Sequence, residues 1–219
     1  MRIEFDDGVD DYLIDGANLI GIESIPQMLE CEDIEIPKNL VSIQKMNITN
    51  NKKTYVHFYV QDQYFRKILK HTSNYVPLFQ TFDGVIAPDP SFKIGKGRWF
   101  CVRSVWISRA VGYYLQTRGI KVIPNIRWGD KDTYSFCFLG VPKHSIVAIS
   151  TVGAIRKDKC TANALRILFK NGLKEMLKQI EPTDVIVYGQ MPADIFDEFK
   201  NDCRFHQFQS ETYLSHMRE

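Results

Sequence analysis

Gly119-Ile120-Lys121-Val122-Ile123-Pro124-Asn125-Ile126-Arg127-Trp128-Gly129-Asp130 is the stretch whose reading decides the fold. Val122, Ile123 and Ile126 are β-branched and nearly continuous, the pattern of a parallel strand covered on both faces. Gly119 is a natural stop for a helix just before it. The apolar run ends abruptly in Arg127, Trp128 and Asp130. In an open α/β sheet or a β/α barrel, ligands bind at the carboxyl ends of the strands. These three residues therefore fall where binding or chemistry is expected.

The same alternation extends in both directions. Leu40–Ile43, Tyr55–Val60, Asp83–Pro88, Ile146–Ser150, Asp184–Tyr188 and Arg204–Phe208 read as further strands. Between them, helices are expected over residues 63–75 (capped by Asp62), 101–118, 162–180 and 192–199, with a short one in the aromatic connection 133–139 and a last one at 211–218. In residues 162–180 the apolar positions recur at i, i+3 and i+4, so one stripe faces a sheet and the lysines face water. The expected fold is α/β: a mainly parallel sheet of about six to seven strands with flanking helices, an open or incompletely closed β/α barrel. Residues 1–38 read as an irregular acidic extension with a turn of helix around 25–30, and residues 39–219 as a single α/β domain.

Composition narrows the class. The 219 residues suffice for one domain with a real core. No apolar run approaches the length of a membrane span, and the N-terminus is acidic where a signal peptide is basic and then apolar. The five cysteines (Cys31, Cys101, Cys137, Cys160, Cys203) are scattered, with no C-x-x-C pair. That argues against a disulfide framework or a zinc site, and for a reducing cytoplasm. The net charge of +2 hides an asymmetry: residues 1–38 hold eleven acids against Arg2 and Lys38. The body is therefore basic, which suits a polyanionic or phosphorylated ligand, or merely keeps the protein soluble.

Four segments carry a resemblance: Phe82–Asp89, Gly119–Asp130, Val147–Gly153 and Val185–Gly189. In this order they resemble a family of bacterial and phage proteins known as a domain of unknown function, number 4417. The resemblance covers roughly residues 40–200 and leaves the acidic leader aside. It implies an α/β protein of phage or mobile-element origin in the cytoplasm of a bacterial host, and it supplies no reaction.

Each of these segments is a strand plus the residues just past it, so folding would gather Asp89, Arg127, Trp128, Asp130, Ser150, Thr151 and Tyr188 along one rim. For Ser150 and Thr151 the plainer reading is that of cap and turn residues. Residues 90–129 add Lys93, Lys96, Arg98, Arg103, Arg109, Arg118, Lys121 and Arg127 with no acid, and all three tryptophans. Cations contact phosphate and flat rings stack on bases, so a nucleotide or single-stranded nucleic acid is the implied partner, with no membrane. Arg103 falls within the apolar face of its helix and calls for Asp89 or an anionic ligand as partner. Asp89 and Asp130 are the candidate acid/base residues; with Asp132 they could hold Mg²⁺ near a phosphate. His57 reads as structural, and His144 and His206 have no evident companion. Two function classes follow: an enzyme acting on a nucleotide or nucleic acid, with Arg103 and Arg127 on phosphate and Trp128 stacking, or a non-catalytic module that sequesters a nucleotide or host factor.

Overall fold

Seven short β-branched or aromatic runs form parallel strands, and the segments between them carry the chain back to start each next one. The computed structural model describes residues 10–31, 33–49, 53–155 and 162–216. The first nine residues of the acidic leader, Cys160 and the end of the helix expected at 211–218 lie outside them. A 3₁₀ turn at Asp11–Ile14 and a hairpin of β1 (Leu19–Ile20) with β2 (Ile25–Pro26) come first. Next are β3 (Leu40–Ser42), β4 (Tyr55–His57), α1 (Arg66–Lys70), α2 (Val76–Phe79), β5 (Gly84–Ile86) and the long helix α3 (Arg98–Thr117). The chain continues through β6 (Val122–Ile123), α4 (Tyr134–Cys137), β7 (Ile146–Ser150) and α5 (Ala162–Ile180). It ends with β8 (Asp184–Tyr188), α6 (Ala193–Phe196), β9 (Arg204–Phe208) and α7 (Glu211–His216).

The single sheet expected from the sequence is instead two: β3-β4-β5-β6 and β7-β8-β9, each parallel throughout. One bridge, Asn125 opposite Ala148, joins them. There the Ala148 N–H donates to Pro124 O and the Ile126 N–H to Ala148 O, each at 2.8 Å. In a parallel ladder the amide and carbonyl of alternate residues face the same neighbour. Pro124 presents its carbonyl to β7 but has no N–H, so the rung that would lengthen this ladder does not form. The two sheets nevertheless share one buried cluster of Tyr55, Tyr59, Ile86, Ile123, Ala148, Ile186 and Tyr188. Leu40 and Phe208, on the outer strands of the two sheets, both pack against it.

Two further corrections have local causes. The helix expected over residues 63–75 is broken, because His71 leaves helical geometry and the Thr72 hydroxyl takes up the Ile68 carbonyl at 3.0 Å. In the leader, Ile25–Pro26 is a strand rather than a helical turn. Leu13, Ile25 and Met28 are buried in the core, and Gln116 of α3 exchanges two hydrogen bonds with the Leu29 backbone.

The second core cluster shows how α5 seats itself. Leu173, Met176 and Ile180 face β7 and β8, and at Gly172 the helix meets the Trp128 ring. A Cβ there would lie 2.0 Å from Trp128 Cδ1 and 2.1 Å from Nε1. Gly172→Ala gains about 1 kcal/mol of helix propensity but costs about 1–3 kcal/mol of overpacking. The steric cost should win, lowering the urea midpoint; a midpoint equal to or above that of the wild type would show that Trp128 is not held against α5.

Candidate functional site

A chain of buried polar side chains crosses the carboxyl end of the β3–β6 sheet at the seam with β7. Tyr59, two residues past β4, stacks on Tyr188 at the end of β8, with ring centroids 4.9 Å apart. Its hydroxyl donates to Asn125 Oδ1 at 3.0 Å, and Asn125 Nδ2 donates to Asp89 Oδ1 at 3.0 Å. Asp89 Oδ1 also accepts from Arg127 Nε at 3.1 Å, while Oδ2 accepts from Arg127 Nη2. Asp89 is buried, whereas the Arg127 side chain stays 25% exposed. Burial alone would lower the Arg127 pKa; the charge and hydrogen bonds of Asp89 outweigh it and hold the guanidinium above its usual value. The pair is a fork-to-fork contact, neutral as a unit.

The residue that anchors this chain is one the sequence reading grouped with the phosphate-contacting cations of residues 90–129. Arg109 of α3 is 1% exposed. Its Nη1 donates to the Asn125 carbonyl at 2.8 Å, Nε to Leu139 O at 3.0 Å and Nη2 to Cys137 O at 3.1 Å. Burial pulls its pKa down to about 10. The available signal was position: Arg109 follows Cys101 and Val105 at helical spacing, on the stripe that packs into the core. Arg103, for which the sequence offered Asp89 or an anionic ligand as partner, lies with its guanidinium over the Trp99 ring, 5.9 Å from the centroid. Asp89 is taken by Arg127.

The other expected residues divide between rim and groove. The Ser150 and Thr151 hydroxyls both donate to the Tyr188 carbonyl, at 3.3 and 3.4 Å, and the Tyr188 hydroxyl accepts from the Glu211 N–H at 3.1 Å. Trp128 is buried against Phe169 and Phe138. Asp130 lies apart from Asp89, in an open groove of about 700 Å³ lined by Ile94, Gly95, Gly97, Arg98, Lys131 and Asp132, among others. A smaller cavity of about 130 Å³ is bounded by Phe92, Ile94, Arg127, Trp128, Gly129, Gly153, Ala154 and three residues of α5. Among the described residues, no cluster of three or more His, Cys, Asp or Glu is placed to hold a metal ion.

The acid-free basic stretch is only partly available to a ligand. Arg98 is paired with Glu23 of the leader, Lys121 donates to the Asp33 carbonyl, and Arg118 lies over the Tyr114 ring. Residues 93–100, including Lys93, Lys96, Trp99 and Phe100, are exposed. Trp99 and Phe100 stand edge to face, with centroids 5.1 Å apart.

Residues 18–209 match the family described as Domain of unknown function (DUF4417). The chain belongs to this family. It is also 34% identical over 136 residues to the Gene 1 protein of Mycobacterium phage D29, covering 62% of this chain and 48% of that protein. The Gene 1 protein of Mycobacterium phage L5 is 32% identical over 136 residues, 62% of this chain and 57% of the phage protein. The chain thus spans about half the length of the curated relatives it matches. No solved structure matches it. Among the described residues, no helix of this DUF4417 chain is long and apolar enough to cross a membrane.

Two histidines complete the electrostatics. His206, which had no companion in the sequence reading, meets Asp184 through Nε2 at 2.7 Å, beside Arg204 at 2.8 Å. His57 is buried against the Tyr188 and Tyr59 rings, and its Nδ1 accepts the Tyr59 N–H at 3.2 Å. Burial, helped by the charge of Lys45, pushes its pKa down to about 3. The folded chain then refuses a proton that the unfolded chain takes up below about pH 6.5. Its contribution to stability is complete above that pH and is lost as pH falls toward 3, by roughly 3–5 kcal/mol at full extent. The urea midpoint of the wild type should fall over this window more steeply than that of His57→Phe; parallel slopes would contradict the buried neutral ring.

Proposed function

We propose that this phage-type protein binds a nucleotide or a single strand of nucleic acid across the carboxyl-end rim. The observation that carries the reading is the exposed pair Trp99 and Phe100, with Arg103 over the Trp99 ring and the exposed Lys93 and Lys96 earlier in the same segment. Two large rings left in water beside cations are costly to the free protein and suit bases above a phosphate backbone. The adjoining groove, at about 700 Å³, falls within the roughly 300–1,000 Å³ that accommodates small ligands. No side chain caps the start of α3 at Gly97, and the helix dipole there adds a favourable field for phosphate. Ser150, Thr151 and Tyr188 shape the rim in this reading. It also places the protein in the cytoplasm of the bacterial host.

Catalysis is the second reading, and Asp130 with Asp132 in the groove favours it. Mg²⁺ is commonly held by one or two carboxylates plus the phosphates of a substrate, so a complete protein cage is not required. Asp89 would then act through Arg127, with which it is already paired. Binding stands first because Asp89 and Asp130 open onto different spaces.

Fluorescence anisotropy of a labelled 15-nucleotide oligo(dT) should show binding that weakens steeply between 50 and 200 mM salt. Trp99→Ala should cost about 1–3 kcal/mol of affinity, and Lys93→Ala with Lys96→Ala should flatten the salt dependence. Full affinity in Trp99→Ala, or no binding at 50 mM salt, would remove the rim assignment. Product formation on adding Mg²⁺, lost in Asp130→Asn, would promote the enzyme reading.

A further inference from the structure

We infer that the cavity of about 130 Å³ beside Arg127 receives a single pyrimidine base, whose phosphate lies over the adjoining groove. This rests on the nucleotide-binding reading above and adds a base preference to it. Size is the first argument. An apolar cavity near 150 Å³ holds one benzene ring, so the space here matches a six-membered ring more closely than a fused purine. The walls are the second. Trp128, Phe169 and Phe92 present aromatic surface, and Ile94, Leu165 and Leu168 close the rest with aliphatic groups.

Charge is the third argument, and it revises the expected role of Arg127. Its Nε and Nη2 are engaged by Asp89, so the fork that would grip a phosphate is taken. What the pair offers the cavity is a partly exposed guanidinium edge with no net charge behind it. A phosphate entering there would be desolvated without a surplus cation to balance it. A neutral carbonyl oxygen, which every pyrimidine base carries at position 2, needs only one N–H donor. Connectivity is the fourth. Ile94 lines both the cavity and the groove, and Gly129 at the cavity is followed by Asp130 in the groove. The neutral inner space then selects the base while the exposed cations outside it attract the phosphate.

The test compares 15-mers of dT, dA and abasic deoxyribose phosphate on the full chain at 50 mM salt. Oligo(dT) should bind at least about fivefold more tightly than the abasic strand, the lower end of what burying a stacked base contributes, and more tightly than oligo(dA). Ala154→Phe fills the cavity without touching the exposed cations. It should reduce oligo(dT) to the abasic level and leave abasic binding and its salt dependence unchanged. If that variant loses its near-ultraviolet dichroism, Leu165→Phe serves the same purpose, and the wild-type ranking decides by itself. Equal, salt-dependent binding of all three strands would overturn the base pocket while leaving the basic rim intact. A preference for dA would likewise overturn it. Absence of binding by every strand would overturn both readings.

Discussion

A guanidinium that no carboxylate among the described residues neutralises sits at the centre of this fold. Arg109 donates to the backbone carbonyls of Asn125, Leu139 and Cys137. Removing such a charge from water costs several kcal/mol even after relaxation, and three charge-assisted hydrogen bonds of about 1.5–3 kcal/mol each roughly offset it. The position explains why the cost is tolerated. Asn125 is the residue whose single bridge to Ala148 joins the two sheets. With Pro124 unable to extend that ladder, the seam depends on a side chain reaching in from α3. The same contact fixes the segment after α4, so one residue ties helix, seam and connection together.

From that seam the site follows. Asn125, held through its carbonyl, turns its side chain between the Tyr59 hydroxyl and Asp89. Asp89 in turn holds the fork of Arg127 at the edge of the small cavity. Tyr59, Asn125, Asp89 and Arg127 satisfy one another at this end of the sheets, which makes them rigid rather than reactive. Asp130 and Asp132 lie apart from them, in the open groove. The exposed cations and rings of residues 93–100 form a separate layer outside. The interior offers shape and neutrality, and the exterior offers charge.

Much of this was legible in the chain. The β-branched runs announced parallel strands, and the 3.6-residue stripe of α5 gave its limits of Ala162 and Ile180. The gathering of Asp89, Arg127 and Trp128 at strand ends followed from the general rule for α/β sheets. The division into two sheets was not legible, because it turns on which neighbour the missing N–H of Pro124 would have faced. Nor was the exchange of roles between arginines. Arg103 and Arg109 both lie on apolar-looking faces of one helix, and α3 is covered on most sides, so periodicity could not tell which was buried. Trp128 read as a stacking platform because its sequence neighbours are polar. Its partner Gly172 lies on α5, far along the chain, and no local pattern pairs them.

Arg109 holds the seam, and amide hydrogen exchange measured by NMR reports on that role most directly. In the wild type the Ile126 and Ala148 amides that make the bridge should exchange near the rate set by global unfolding. In Arg109→Lys, whose compact ammonium cannot span three carbonyls, these two amides should lose protection well beyond the loss at Val185, Ile186 and Val187 of β8. A uniform change across both sets, or none at the bridge, would show that the sheets meet without help from Arg109.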